Sequence, residues 1–117
     1  MSDLTVYEKP TCTTCKNLYT LLTERGVDFE TVNYHVDPLP EAKIRELIAK
    51  TGGSAHDVLR KREPIYEELG LGDREVSDDE LISLMVQHPQ LLQRPIVERG
   101  DRAVLARPIE KALELVE

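Results

Sequence analysis

The first 34 residues place two cysteines, Cys12 and Cys15, at the start of a predicted helix that follows a predicted strand. Leu4–Glu8 (LTVYE) is rich in β-favouring residues and predicts a strand. Thr13–Arg25 carries leucines at helical spacing, and Gly26 follows it as a residue typical of helix C-termini. Val27–Tyr34 alternates apolar and polar residues, which is typical of a half-buried strand. The strand–helix–strand order predicts a βαβ unit with parallel strands. Residues 9–11 are predicted to form the turn between the first strand and the helix.

The middle of the chain predicts helices. Pro38 and Pro40 break the chain after the second strand, and Glu41–Lys50 then carries apolar residues on one helical face. Ser54 is expected to cap a short helix that runs to about Leu59. The stretch from 61 to 73 is expected to be irregular or briefly helical. Ser77 is a good N-cap for a helix that extends to His88, where Pro89 stops it.

The end of the chain predicts a β-hairpin followed by a helix. Ile96–Glu98 and Arg102–Ala106 flank a Gly-Asp turn. Pro108 is expected at the first position of the last helix, whose buried face would hold Ile109, Leu113 and Val116. The whole chain therefore predicts one α/β (α+β) domain over residues 1–117, ordered βαβ…ββα, with a helical insertion at about 38–93 between the two halves.

Composition limits the partners and the compartment. Fifteen basic and 22 acidic residues give a net charge of −7, which offers no general attraction to nucleic acid. One Phe and no Trp also argue against stacking on bases. There is no sign of a signal peptide or a membrane span, so no membrane partner is expected and the cytoplasm is the expected compartment.

Cys12-Thr13-Thr14-Cys15 is the strongest chemical motif. Cys12 would lie at or just before a helix N-terminus, where free N–H groups and the helix dipole favour a thiolate. This position makes Cys12 the expected nucleophile and Cys15, one turn later, at most a resolving thiol. A zinc site is disfavoured, because there are no other cysteines and the three histidines (His35, His56 and His88) lack ligand spacing. Two inert core cysteines are the remaining alternative.

Two arginines stand at element boundaries. Arg94 precedes Pro95 at the entry to a strand, and Arg107 precedes Pro108 at the start of the last helix. If both converge on Cys12, their forked N–H donors would bind a tetrahedral oxyanion and keep the thiol ionised.

Motifs along nearly the whole chain resemble the glutaredoxin-dependent arsenate reductases and their Spx-type relatives. They are Pro10-Thr11-Cys12, Leu59-Arg60, Tyr66–Leu71, Asp78–Ile82, Gln87–Pro89 with Leu91-Leu92, Arg94–Val97 and Arg107-Pro108. The resemblance implies a thioredoxin-like fold with a mixed four-stranded sheet.

The resemblance also implies a mechanism and a set of site residues. Cys12 matches the family's nucleophile, and Arg60, Arg94 and Arg107 match its oxyanion-binding arginines. Arsenate or a similar oxyanion would be attacked by Cys12, and a thiol from glutathione would attack the adduct. Reduction through glutaredoxin, or through thioredoxin, would then release arsenite. The family implies no bound cofactor, with glutathione as the co-substrate.

The chain departs from the arsenate reductases beside the nucleophile. It has Glu8 where they usually have histidine, Lys9 where they usually have asparagine, and Cys15-Lys16 in place of Ser-Arg. A CxxC motif is typical of the Spx-type regulators, which bind RNA polymerase and sense oxidation through that disulfide. Those regulators generally lack an arginine at the position of Arg107, so its presence favours the enzyme. A general thiol-disulfide oxidoreductase is the third hypothesis.

Overall fold

In the part of the chain that the structure describes, four short strands form one mixed sheet. The computed structural model describes residues 4–9 and 11–116. The strands are β1 (Leu4–Glu8), β2 (Glu30–Asn33), β3 (Ile96–Arg99) and β4 (Arg102–Leu105), in the order β2-β1-β3-β4. β1 runs parallel to β2 and antiparallel to β3, and β3 and β4 form the hairpin. The predicted βαβ unit, hairpin and mixed four-stranded sheet are therefore confirmed. The turn predicted at 9–11 includes Pro10, which lies outside the described residues.

Four α-helices of the described residues occupy the expected stretches. They are α1 (Thr13–Glu24), α2 (Glu41–Thr51), α3 (Pro64–Glu68) and α4 (Asp78–Gln87), and the last three lie between β2 and β3. The predicted caps also form: the Ser77 side chain accepts a hydrogen bond from the backbone N–H of Glu80, and Ser54 and Asp57 make a capping box for the 3₁₀ turn Ala55–Val58. A second 3₁₀ turn spans Pro89–Leu91. No helix of the described residues is long and apolar enough to span a bilayer.

β2 is shorter than predicted because Val27, which was predicted as its first residue, takes part in the turn that ends α1. Gly26 has a positive φ of 69°, and its N–H bonds to the carbonyl of Thr23 while the N–H of Val27 bonds to that of Leu22. This is a Schellman motif, which satisfies the last carbonyls of the helix. The chain reaches the sheet only at Glu30, so the prediction of a strand from Val27 to Tyr34 was wrong at both ends.

The last helix has a different period from the one predicted. Residues Ile109–Leu115 form a 3₁₀ helix, and Pro108 stands at its N-cap, one position earlier than expected. A 3₁₀ helix has three residues per turn, so residues three apart share a face. The buried residues are accordingly Ala112 and Leu115, whereas Leu113 and Val116 of the predicted buried face are only half-buried.

The sheet separates two hydrophobic cores. One face of β1 contributes Leu4 and Val6, which pack with buried residues of α1 and of the C-terminal 3₁₀ helix. Tyr7 joins the opposite core, which is built mainly from α2, α4 and the turns around them. This alternation along β1 follows from the two-residue period of a strand. It leaves the C-terminal end of β1, where Cys12 follows, between the two layers of helices.

A buried carboxylate fixes α2 to the sheet. Glu98 in β3 is only 8% exposed and accepts hydrogen bonds from the Tyr7 hydroxyl (2.6 Å), from Lys43 Nζ (2.9 and 3.0 Å) and from Lys50. Burial alone would raise the pKa of Glu98, but the donors of Lys50, Tyr7 and Lys43 outweigh it and lower the pKa to about 2. Glu46 contacts the same two lysines from an exposed position.

We expect Glu98→Gln to destabilise the fold by about 2–3 kcal/mol at neutral pH, because two lysines lose their buried partner. The pKa of Glu98 in the folded chain lies below its ordinary value of 4.5, so its stabilisation is complete above about pH 4.5 and is lost as the pH falls towards 2. Urea unfolding between pH 7 and pH 2.5 measures this. The acid-side loss of stability should be smaller in Glu98→Gln than in the wild type. Glu46→Gln is the matched control, and an equal effect there would contradict the assignment.

Candidate active site

Cys12 caps the N-terminus of α1. Its backbone is extended (φ −77°, ψ 124°), and its Sγ accepts a hydrogen bond from the backbone N–H of Cys15 at 3.4 Å. The backbone N–H of Cys12 bonds back to the carbonyl of Lys9 at 2.9 Å, which fixes the approach of the chain to the helix. The predicted position of Cys12 just before the helix is therefore confirmed, and its half-buried sulfur faces the free N–H groups of the first turn.

The two thiols of the motif have opposite electrostatic environments. Burial alone would raise the pKa of Cys12, but the Cys15 N–H, the Cys15 thiol and the Arg94 guanidinium outweigh it and hold the pKa below its ordinary value. Cys15 is completely buried, and burial together with the negative charges of Cys12 and Glu8 raises its pKa to about 12. Both cysteines are free thiols. Cys12 is thus the thiol suited to nucleophilic attack at neutral pH.

Sheet register brings two arginines to Cys12. Tyr7 at the end of β1 pairs with Ile96, and Ile96 pairs with Leu105. The residues just before β3 and just after β4 therefore lie at the same end of the sheet as Cys12. Arg107 Nη2 is 3.9 Å from Cys12 Sγ, and Arg107 Nε donates to the backbone carbonyl of Arg94 at 2.6 Å. The Arg–Pro bonds after both arginines are cis.

Arg94 is a buried cation with unused donors. It is 4% exposed, and its Nε and Nη1 have no hydrogen-bond partner among the described residues. Its third nitrogen, Nη2, lies 3.7 Å from Glu63 Oε1. Buried N–H groups of a cation are costly to leave unpaired, and the forked geometry of a guanidinium fits an oxyanion. Arg94 therefore presents anion-binding donors next to a sulfur whose ionisation it favours.

Arg60 joins the site through an isolated bridge between Leu59 and Leu92. Its backbone N–H bonds to the carbonyl of Leu91 at 2.7 Å, and this bond holds residue 60 against the segment that leads into β3. Unlike Arg94, its side chain is already engaged: Nε donates to Glu63 Oε1 at 3.0 Å and Nη1 to Gln93 Oε1 at 2.8 Å. All three predicted arginines thus lie in one region. Arg60 donates to two side chains and Arg107 to a backbone carbonyl, whereas Arg94 has two nitrogens without a partner among the described residues.

Three further residues of this region, Glu63, Gln93 and His35, were not predicted from the sequence as site residues. Gln93 Oε1 also accepts from the backbone N–H of Arg94 at 3.2 Å, so one side chain orients two arginines. His35 Nε2 is buried without a hydrogen-bond partner among the described residues. Burial and the nearby Arg94 and Lys9 lower the pKa of His35 and favour its neutral form. Of these three residues, only Glu63 has a recognisable sequence context, because it directly precedes a proline at a helix start.

Glu8, one of the residues that depart from the family pattern, points inward. It is buried, and burial raises its pKa. Its charge adds to the raised pKa of Cys15, while the pKa of Cys12 stays low. The part of the chain that the structure describes has no cluster of three His, Cys, Asp or Glu residues that could hold a metal ion.

A low-pKa cysteine at the N-terminus of the first helix, on a sheet of this topology, defines a thioredoxin-like protein with a reactive thiol. The sequence model of the ArsC family matches residues 7–115, and the chain belongs to that family. The arsenate reductase of Escherichia coli K12 is 38% identical over 116 residues, which cover 99% of this chain and 82% of that protein.

Two further comparisons agree with this membership. The uncharacterized protein YfgD of Escherichia coli K12 is 38% identical over 112 residues, which cover 95% of this chain and 94% of that protein. The solved structure of an arsenate reductase from Vibrio cholerae matches with a TM-score of 0.90 at 31% identity, over 96% of each chain.

Proposed function

We propose that the protein reduces arsenate to arsenite, with the Cys12 thiolate as the nucleophile and Arg60, Arg94 and Arg107 as the oxyanion-binding groups. One observation supports this most directly: two buried donors of Arg94, which have no hydrogen-bond partner among the described residues, lie beside a thiol of lowered pKa, with Arg107 Nη2 3.9 Å from the same sulfur. The family membership and the arsenate reductases among its relatives agree with it.

The chemistry proceeds in two stages. Cys12 thiolate attacks arsenic(V), an As–S bond forms, and one oxygen leaves with protons as water. Glutathione then attacks the arsenic of the adduct and displaces a second oxygen as water. A thiol delivered through glutaredoxin attacks the glutathione sulfur, so that a disulfide leaves and arsenic(III) stays on Cys12. Water then cleaves the As–S bond, which releases arsenite and the free Cys12 thiol. Overall, two thiols become one disulfide, and their two electrons reduce arsenic(V) to arsenic(III). This cycle needs a supply of reduced glutathione, which suits the reducing conditions of the cytoplasm.

The arginines address the central difficulty of the first step. A thiolate and an arsenate dianion repel each other in water, and fixed cations offset that repulsion most strongly where charge accumulates. Arg94 and Arg107 are held in place before the substrate arrives, by burial and by the bond from Arg107 Nε to the carbonyl of Arg94. Little reorganisation is then needed during the attack.

A coupled assay tests this function. NADPH oxidation is followed with glutathione, glutaredoxin and glutathione reductase, with and without arsenate. We expect a rate that depends on arsenate and saturates with it. Equal rates with and without arsenate would contradict the proposal and would favour a general thiol-disulfide oxidoreductase. The second candidate has its own support, because Cys15 lies one helical turn from Cys12 and its N–H already contacts the Cys12 sulfur.

The variant Cys15→Ser separates the two electron routes. With glutathione as the attacking thiol, arsenate turnover should stay within about twofold of the wild type, because Cys15 is buried and its pKa of about 12 keeps it protonated. The measurement is the same assay, supplemented by thermal unfolding to show that the variant folds. A collapse of turnover in a folded variant would make Cys15 the resolving thiol and would route electrons through an internal disulfide.

A further inference from the structure

The carboxylate of Glu63 lies between the guanidinium groups of Arg60 and Arg94. Glu63 Oε1 accepts a hydrogen bond from Arg60 Nε at 3.0 Å, and the same oxygen lies 3.7 Å from Arg94 Nη2. A single oxygen atom shared by two guanidinium groups is the arrangement that an oxygen of a bound oxyanion would adopt.

The contact is partly shielded from water and its geometry is specific. The Arg60 and Glu63 side chains are 19% and 21% exposed, and Arg94 is almost fully buried. Ion pairs in such a position are screened less than those on the surface and are correspondingly stronger. The carboxylate therefore takes up part of the positive field that would otherwise act on an incoming anion.

The backbone of Glu63 is fixed, but its carboxylate can leave. Glu63 is extended (φ −76°, ψ 140°) and is followed by Pro64 at the start of α3. Rotation of the side chain alone would release Oε1 from Arg60 and Arg94 without moving the chain. Gln93 would still hold Arg60 through its Nη1.

We propose that Glu63 is an internal anion that occupies part of the oxyanion site in the free protein. It thereby determines how tightly an anion binds there and how much negative charge that anion must carry. The inference rests on the proposed function. A ligand must replace the carboxylate on Arg60 and Arg94, which a dianion such as arsenate or phosphate does more effectively than chloride. Glu63 thus acts as a specificity-determining residue that weakens binding of every anion and of monoanions most.

Binding of arsenate and of inorganic phosphate, measured by calorimetry in a Cys12→Ser background, tests this without turnover. Glu63→Gln keeps the shape and one acceptor oxygen but removes the charge. We expect it to bind both anions about tenfold more tightly, which corresponds to about 1.4 kcal/mol. Chloride should also compete with phosphate more effectively in this variant. Glu68→Gln, an equal charge change at an exposed residue of the same helix, should bind as the parent does.

The outcomes are distinct. If the parent binds phosphate and Glu63→Gln binds it equally or more weakly, Glu63 serves only to position Arg60. The inference is then overturned while the proposed function stands. If neither protein binds arsenate or phosphate, the proposed function fails and the inference fails with it. Glu63→Asp, which keeps the charge on a shorter side chain, provides a second variant and should stay nearer the parent than the Gln variant does, in both affinity and chloride competition.

Discussion

Replacement of Cys12 by serine should reduce arsenate-dependent NADPH oxidation to the background rate, a loss of about 10⁴-fold or more. A serine hydroxyl is far less ionised than this thiol, whose pKa is lowered by the Cys15 N–H and by Arg94 against the opposing effect of burial. It also cannot form the As–S bond. The measurement is the coupled assay with glutathione and glutaredoxin, at saturating arsenate.

Cys15→Ser is the matched control for this experiment, because it makes the same atomic change one helical turn away in the same helix. Thermal unfolding of both variants shows whether the fold is intact. If Cys12→Ser is folded and retains substantial arsenate-dependent turnover, the assignment of Cys12 as nucleophile is wrong. If both variants lose activity while folded, the two thiols act as a pair.

Replacement of Arg94 by alanine should lower kcat/KM for arsenate by about 10²-fold or more, the order of magnitude for loss of a fixed donor to developing negative charge. It should also raise the pKa of Cys12, because a cation that favours the thiolate is removed. The rate of alkylation by iodoacetamide, followed from pH 5 to pH 10, measures that pKa directly. The pH midpoint should move upwards relative to the wild type.

Two further variants make this test specific to the guanidinium. Arg94→Lys keeps the positive charge but loses the fork, so it should retain the low pKa of Cys12 better than it retains arsenate binding. It also guards against misfolding of the alanine variant, since Arg94 is almost fully buried. Arg102→Ala removes the same charge from an exposed position on β4 and should leave both readouts unchanged. An unchanged alkylation midpoint in a folded Arg94→Ala would exclude Arg94 as a determinant of thiol reactivity.

The parts of the molecule that depend on neighbouring residues were predictable. The position of Cys12 follows from a short strand, a turn and a helix that begins at Thr13. The caps at Ser54 and Ser77 each need only a residue three positions away. Arg60 was reached only through the family resemblance, because nothing in its local sequence distinguishes it from the neighbouring Arg62.

The order of elements and the thiol at a helix N-terminus could therefore be predicted from the sequence alone, since hydrophobic periodicity, helix hydrogen bonds and helix caps involve residues only a few positions apart. Tertiary structure decided the rest of the site. Arg107 meets a sulfur 95 residues away because two strand pairings set its register. Arg60 and its partner Glu63 arrive through a single bridge between Leu59 and Leu92. Which arginine donors are left unpaired beside the thiol depends on burial and on side-chain contacts between distant segments, and no local pattern in a sequence specifies these.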